Sequence, residues 1–277
     1  MATVNRTQQS KLARAASLGR IALISELDAQ LTNMPTTSDW HKYGTKLSDY
    51  LKGNADKVPF TIFAKGNGKL PFFSFSAVPV FTCPGMGACE SFCYSFKSWR
   101  YPCALYRQLL LTVLVKEQNI ALTSAFNSLP QGATIRLYVD GDFDSMQTLE
   151  YWFTLLRNRP DIKAYGYSKS WPLFTAYKGA FPTNYKLNLS SGGKHTDTSA
   201  ISKLSITRGE FIAVPIAKQL QGKYDNADYK SAVRASAKQQ GIDKVFVCPG
   251  KCGSCTKKGH ACGLDTFSDI PIVIGIH

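Results

Sequence analysis

The chain has 277 residues, 44% of them apolar and 19% charged, which excludes an intrinsically disordered protein and allows a sizeable core in one domain or one domain with an appendage. Its formal net charge of +14 is spread from Lys11 to Lys258 and points to polyanions as partners, nucleic acid or an anionic cofactor, although the same charge also serves solubility alone. Lys11, Arg14 and Arg20 interrupt every candidate signal-peptide core and no apolar run reaches membrane-span length, so the expectation is a cytoplasmic protein with no membrane partner.

Residues 1–55 are expected to form an N-terminal helical extension. Leu12, Ala15, Ala16, Leu18, Ile21, Ala22, Ile24 and Leu27 recur on one apolar face with Arg14 and Arg20 off it, and a second helix covers Tyr43 to Leu51. That face caps the core or, alternatively, presents a basic amphipathic helix to nucleic acid or membrane. Residues 56–277 are expected to form the second unit. It opens with a polar connection, 56 to 72, in which Asn67-Gly68 signals a hairpin turn.

From Phe73 strand and helix patterns alternate. Runs rich in β-branched and aromatic residues lie at Phe73–Phe81, Thr134–Val139, Ile162–Tyr167, Tyr185–Leu189, Glu210–Ile216, Lys244–Val247 and Pro271–Ile276. Helical patterns lie between them at Ala104–Phe126, Ser145–Arg157, Trp171–Ala180, Ser199–Leu204 and Tyr229–Gln240, and Asp144 with Gln147 suggests a capping box for the second. This alternation argues a parallel α/β sheet, as a partial barrel or doubly wound. Either architecture places its active face at the carboxyl ends of the strands.

Those ends carry the unusual residues: Cys83-Pro84-Gly85, Asp140-Gly141-Asp142, Ser168-Lys169-Ser170, Ser190-Ser191-Gly192-Gly193 and Cys248-Pro249-Gly250. Each alone is an ordinary turn or cap. Together they would converge on one face. In a reducing compartment, eight cysteines at short spacings are metal ligands before they are disulfides.

The first group, Cys83, Cys89 and Cys93, is C-x5-C-x3-C in a glycine-containing loop, and three such thiolates can ligate a cubane cluster while leaving one iron open. Cys103 closes a four-cysteine site or, as its place in the next helix favours, is a core residue. The second group, Cys248, Cys252, Cys255 and Cys262, suits a second iron–sulfur cluster or zinc. His260 is a further candidate ligand, and Lys257 and Lys258 suit an anionic thiolate site or a nucleic-acid contact. Buried free cysteines are the alternative for both groups. Trp99, Tyr101 and Trp171 would supply stacking surfaces if the protein binds single strands.

CPGMGACESFCYSFK before a long helix, then RLYVDGDFDS, DIKAYGYSKSW and NLSSGG, in this order from about Phe73 to Gly193, resembles the gene product 88 family of phages and prophages. That family is similar to the radical S-adenosylmethionine superfamily. The resemblance implies a radical-SAM-like partial (β/α)6 barrel with a [4Fe-4S] cluster on Cys83, Cys89 and Cys93 and with Tyr94 beside the last ligand. It further implies that Asp140, Gly141 and Asp142 stand where the superfamily binds the amino group of S-adenosylmethionine, with Ser168, Lys169, Asn188 and Ser190 around the rest of that cofactor. The loop departs from the superfamily's C-x3-C-x2-C, so cluster binding carries over better than cofactor cleavage, and no substrate carries over. A non-catalytic nucleic-acid-binding or virion-associated protein with structural metal is the competing expectation.

Overall fold

Seven strands pair in parallel throughout: β1 (Phe73–Ser74), β2 (Thr134–Leu137), β3 (Lys163–Ser168), β4 (Tyr185–Ser190), β5 (Thr207–Val214), β6 (Phe246–Val247) and β7 (Ile272–Gly275). They are seen in a computed structural model that describes residues 4–276 apart from 254, 258 and 269. Lys258 therefore lies outside the described residues.

The strand order is β1-β2-β3-β4-β5-β7-β6, and the sheet curls into a half-barrel. The first five strands follow chain order; then the last strand inserts between β5 and β6. Its sequence explains the insertion. Ile272 and Val273 are buried on opposite faces, in separate apolar clusters, as an interior strand requires, whereas β6 pairs through only two residues and forms the edge.

Helices cover the convex face. α4 (Pro102–Lys116) and α5 (Ile120–Asn127) connect β1 to β2, α6 (Met146–Asn158) and α7 (Trp171–Ala176) make the next two crossovers, and α8 (Ala227–Gln239) joins β5 to β6. Alternate strand residues such as Ile135, Leu137, Leu187 and Leu189 enter the core beneath the first four of these helices, leaving the intervening side chains to the concave face. No single helix among the described residues is long and apolar enough to cross a membrane; α4 and α5 pass that test only as a pair bent by 100°.

That bend corrects the single helix expected over Ala104–Phe126. Gln118 adopts a φ of 51°, and the Asn119 side chain accepts from the Ala121 N–H to start a new helix. The N-terminal periodicity breaks likewise at Gly19, whose φ is 128°, into α1 (Arg6–Leu18) and α2 (Arg20–Leu31), followed by α3 (Asp39–Lys52). α1 and α3 pack on α4, and Leu12, Ala15, Ala16 and Leu27 of the expected apolar face join the core, whereas Leu18 and Ile21 are exposed. The capping box of α6 is one residue later than expected: Ser145 and Thr148 form it, and Asp144 accepts from both hydroxyls. The turn at Asn67-Gly68 is present, with Asn67 Oδ1 accepting from Lys69 and Leu70 N–H and an antiparallel bridge between Ala64 and Ser74 behind it.

Among its described residues the connection from β6 to β7 has no helix of more than three residues. It runs back across the concave face as two short 3-10 turns, Ala261–Gly263 and Asp265–Phe267. Polar strand residues anchor it there. Asn188 donates to Cys262 O (2.9 Å), the fully buried Arg208 donates to Phe267 O (2.6 Å) and Ile270 O (2.8 Å), and Lys186 pairs with Asp265 at 2.6 Å. The C-terminal cysteines are thereby seated inside the curl of the sheet.

Candidate functional site

The first cysteine loop is built onto the strand ends by backbone bonds. Only Phe73–Ser74 of the expected first strand is laddered as β1, but the chain stays extended beyond it: Phe75 N–H donates to Arg136 O, Val139 N–H to Phe75 O and Ala77 N–H to Asp140 O. The loop then folds over the end of β4. Cys89 N–H donates to Gly192 O (3.1 Å), Lys194 N–H donates to Gly85 O (2.9 Å), and Met86 bridges Gly193. Glycine is required at this crossing, because a Cβ on Gly85 would stand 1.7 Å from Lys169 O and one on Gly87 2.7 Å from Gly193 C. The Gly192-Gly193 strand end thus serves as the loop's pairing partner.

Between this loop and the concave face lies a cavity of about 350 Å³ at the carboxyl ends of the strands. Cys83, Cys89 and Cys93 line it, as do Tyr94, Asp140, Gly141, Asp142, Lys169 and Ser190. Cys248 and Cys252 reach the same cavity from the β6–β7 connection. Two groups of cysteines more than 150 residues apart in the chain therefore share one chamber.

Four predicted residues stand outside its lining. Ser168 and Asn188 are buried behind it: Ser168 Oγ accepts from Ser170 N–H, and Asn188 donates to Gly166 O and Cys262 O. Cys255 and Cys262 face the apolar cluster of the C-terminal segment, where Cys255 Sγ accepts from Ala261 N–H and Cys262 Sγ accepts from the Tyr167 hydroxyl. His260 stacks between Phe72 and Tyr165, with ring centroids 4.7 and 4.6 Å away, and its Nδ1 has no hydrogen-bond partner.

Three expectations are corrected by burial. Cys103 is exposed at the start of α4 and is neither a core residue nor part of the cavity. Trp99 and Trp171 are buried, Trp99 completely, and cannot offer a face to a nucleobase; Tyr101, 63% exposed, is the one of the three that can. Trp99 instead donates to Gln108 Oε1, and Gln108 donates onward to Asp140 Oδ2 (3.0 Å).

The two aspartates use their carboxylates to hold strand ends together. Asp142 accepts from Lys169 N–H and Phe143 N–H, each at 2.8 Å, and so joins the ends of β2 and β3. Asp140 accepts from Gln108 and from the hydroxyls of Ser95 and Ser76. Burial raises the titration of both carboxyls and these hydrogen bonds oppose the rise. Lys169 Nζ donates to Ser190 Oγ at 2.7 Å. Burial also pushes up the Cys83 thiol, which the nearby Asp142 charge raises further, and brings Cys248 to about 11 and Cys262 to about 12.

Two strained positions flank the site. Val80 and Tyr138, both in the cavity wall, hold φ values of 68° and 53°, which side chains with a Cβ rarely adopt. The cavity also receives residues with no counterpart in the sequence expectations: Arg136 from β2, Tyr167 from β3 and Phe211 from β5. The available signal was parity. Arg136 sits between Ile135 and Leu137, so in a strand it must face the other side of the sheet.

Among the described residues no three His, Cys, Asp or Glu side chains converge as they would around one metal ion. A cubane cluster takes its thiolates on different irons, so its ligands border a cavity without meeting at a point. The first loop meets that requirement: three soft donors on one glycine-bearing loop, all opening into one chamber.

The sequence model of the family described as Gene product 88 matches residues 45–263. That span includes the cysteine loop, all seven strands except β7, and the C-terminal cysteines. No curated protein and no solved structure matches the chain.

Proposed function

The chain belongs to the gene product 88 family, and on that premise we propose that it is an iron–sulfur protein with a radical-SAM-like partial (β/α)6 barrel, whose [4Fe-4S] cluster is held by Cys83, Cys89 and Cys93. One observation carries this reading: the three loop thiols and the polar ends of β2, β3 and β4 line a single cavity at the carboxyl-end mouth. A three-thiolate cluster with an open iron, together with S-adenosylmethionine, supplies one-electron cleavage of a carbon–sulfur bond.

The chain's own residues have defined tasks around that chemistry. The Gly85–Gly193 crossing fixes the loop over β4, and Asp142 locks the β2 and β3 ends that face it. Tyr94 closes the wall beside Cys93 with its hydroxyl donating to Val139 O (2.8 Å). Gly141, Lys169 and Ser190 present the polar surface for the cofactor, and the C-terminal segment excludes water from below. Cys248, Cys252, Cys255 and Cys262 would hold a second iron–sulfur cluster; a single zinc ion would need their side chains drawn together around one point.

Purification without oxygen, followed by iron, sulfide and zinc counts with visible and electron paramagnetic spectra, tests the proposal. A reducible cluster signal is expected. A colourless protein carrying zinc and no iron would sink it. A second reading, nucleic-acid binding with structural metal, draws on the +14 charge and on exposed Tyr101. Steep salt-dependent binding to RNA or DNA, with no cleavage of S-adenosylmethionine by the reduced protein, would favour it.

A further inference from the structure

The floor of the cavity holds a cation that the cluster does not require. Arg136 projects from β2 into the chamber, and its Nε is buried with no hydrogen-bond partner. The guanidinium lies 4.6 Å over the Tyr167 ring and hydrogen-bonds with the Tyr94 hydroxyl. None of the ion pairs among the described residues includes it. Asp140 is close enough to feel its charge, but that carboxylate is already occupied by Gln108, Ser95 and Ser76. Burial raises the titration of Tyr165 and Tyr167, so the surrounding phenols stay neutral and offer no counter-charge.

Cys248, Cys252 and Cys262 also stand close enough to feel the Arg136 charge, so the guanidinium faces the C-terminal thiols as well as the cavity, and its planar fork matches a two-oxygen anion. Arg136 is part of the lining of a cavity the size of a small ligand. The other cation in the wall, Lys169, is already hydrogen-bonded to Ser190. We propose that Arg136 is a substrate-binding residue that receives an oxyanion, the carboxylate or phosphate of a small acid, on the cavity floor between the two cysteine groups. This rests on the reading of the cavity as a reaction chamber and adds the charge class of what enters it.

Thermal unfolding of the full-length protein, purified without oxygen, tests it with sodium phosphate and sodium acetate titrated against sodium chloride at constant ionic strength. At least one oxyanion should raise the midpoint beyond the chloride control: phosphate alone identifies a phosphate site, acetate alone a carboxylate site. Arg136→Gln should weaken the apparent affinity by at least about tenfold, as expected for losing a charge-assisted bidentate contact. Arg136→Lys keeps the charge without the fork and should weaken it several-fold, which keeps the test open if the glutamine variant does not fold. No response beyond chloride, or an unchanged response in both variants, overturns the proposal. So does an Arg136→Gln protein that loses iron yet keeps its oxyanion response. A wild-type protein without iron that responds to the oxyanion supports Arg136 while sinking the cluster reading.

Discussion

At the scale of single residues, the site depends on close approach as much as on its thiols. Gly85 touches the Lys169 carbonyl so closely that Gly85→Ala must displace either the loop or the end of β3. We expect it to lower stability by about 3 kcal/mol in urea unfolding and to release the proposed first cluster, because overpacking against backbone leaves nothing flexible to yield. Cys89→Ser keeps the shape of the loop and removes one donor. It should bleach the first centre while metal bound by the C-terminal cysteines is retained, measured as iron per chain and visible absorbance; loss of soluble protein instead would assign the loop a structural role. The cysteine spacing in the sequence was enough to group Cys83, Cys89 and Cys93, since residues of one loop are near neighbours in the chain, and the structure seats all three on one cavity. Arg136 was missed because a lone strand arginine reveals its partners only after the sheet has curled.

At the scale of elements, the β6–β7 connection decides what the half-barrel contains. A parallel pair needs a crossover, and here the crossover lies inside the curl, held by side chains of β4 and β5 that donate to its carbonyls. Arg208 makes two of those bonds from a fully buried position. Arg208→Ala should therefore cost about 3 kcal/mol. It should also open residues 248–268 to limited proteolysis before the β1–β5 region becomes susceptible. Equal susceptibility throughout would show that the segment is not held separately. Most helix and strand types were legible from periodicity, because each element's apolar face is a local pattern, but the helix expected at Ser199–Leu204 is only a 3-10 turn at Ile201–Lys203. The breaks at Gly19 and Gln118 were not legible, because the apolar stripe continues across both while the backbone turns.

At the scale of the whole molecule, the proposed metal centres would link metal binding to folding through proton release. In the metal-free chain burial holds Cys248 at about 11 and Cys262 at about 12, above the ordinary thiol value. A group whose folded pKa is raised stabilises the fold below its unfolded pKa and loses that contribution as pH climbs through the folded value. Chelated, metal-free protein should accordingly lose stability above about pH 9. Metal loading has the opposite sign, because each ligand thiol must give up a proton. Retention against a chelator should fall as pH is lowered, by up to about tenfold per pH unit for each proton displaced. Metal content and unfolding midpoints of the same samples at several pH values check both arms; a pH-independent metal content would exclude the buried thiols as ligands.

What the sequence determined by itself is what short-range chemistry encodes: cysteine groups with ligand spacing, a βα alternation, and polar residues gathered where strands end. The tertiary structure decided which of these share a space. It inserted β7 between β5 and β6, brought Cys248 and Cys252 into the lining of the first loop's cavity and left Cys255 and Cys262 outside it, and gave Asn188 and Ser168 to the packing behind the cavity. The physical reason is that strand order and curl join residues far apart in the chain, and side-chain parity then assigns each to the chamber or the core.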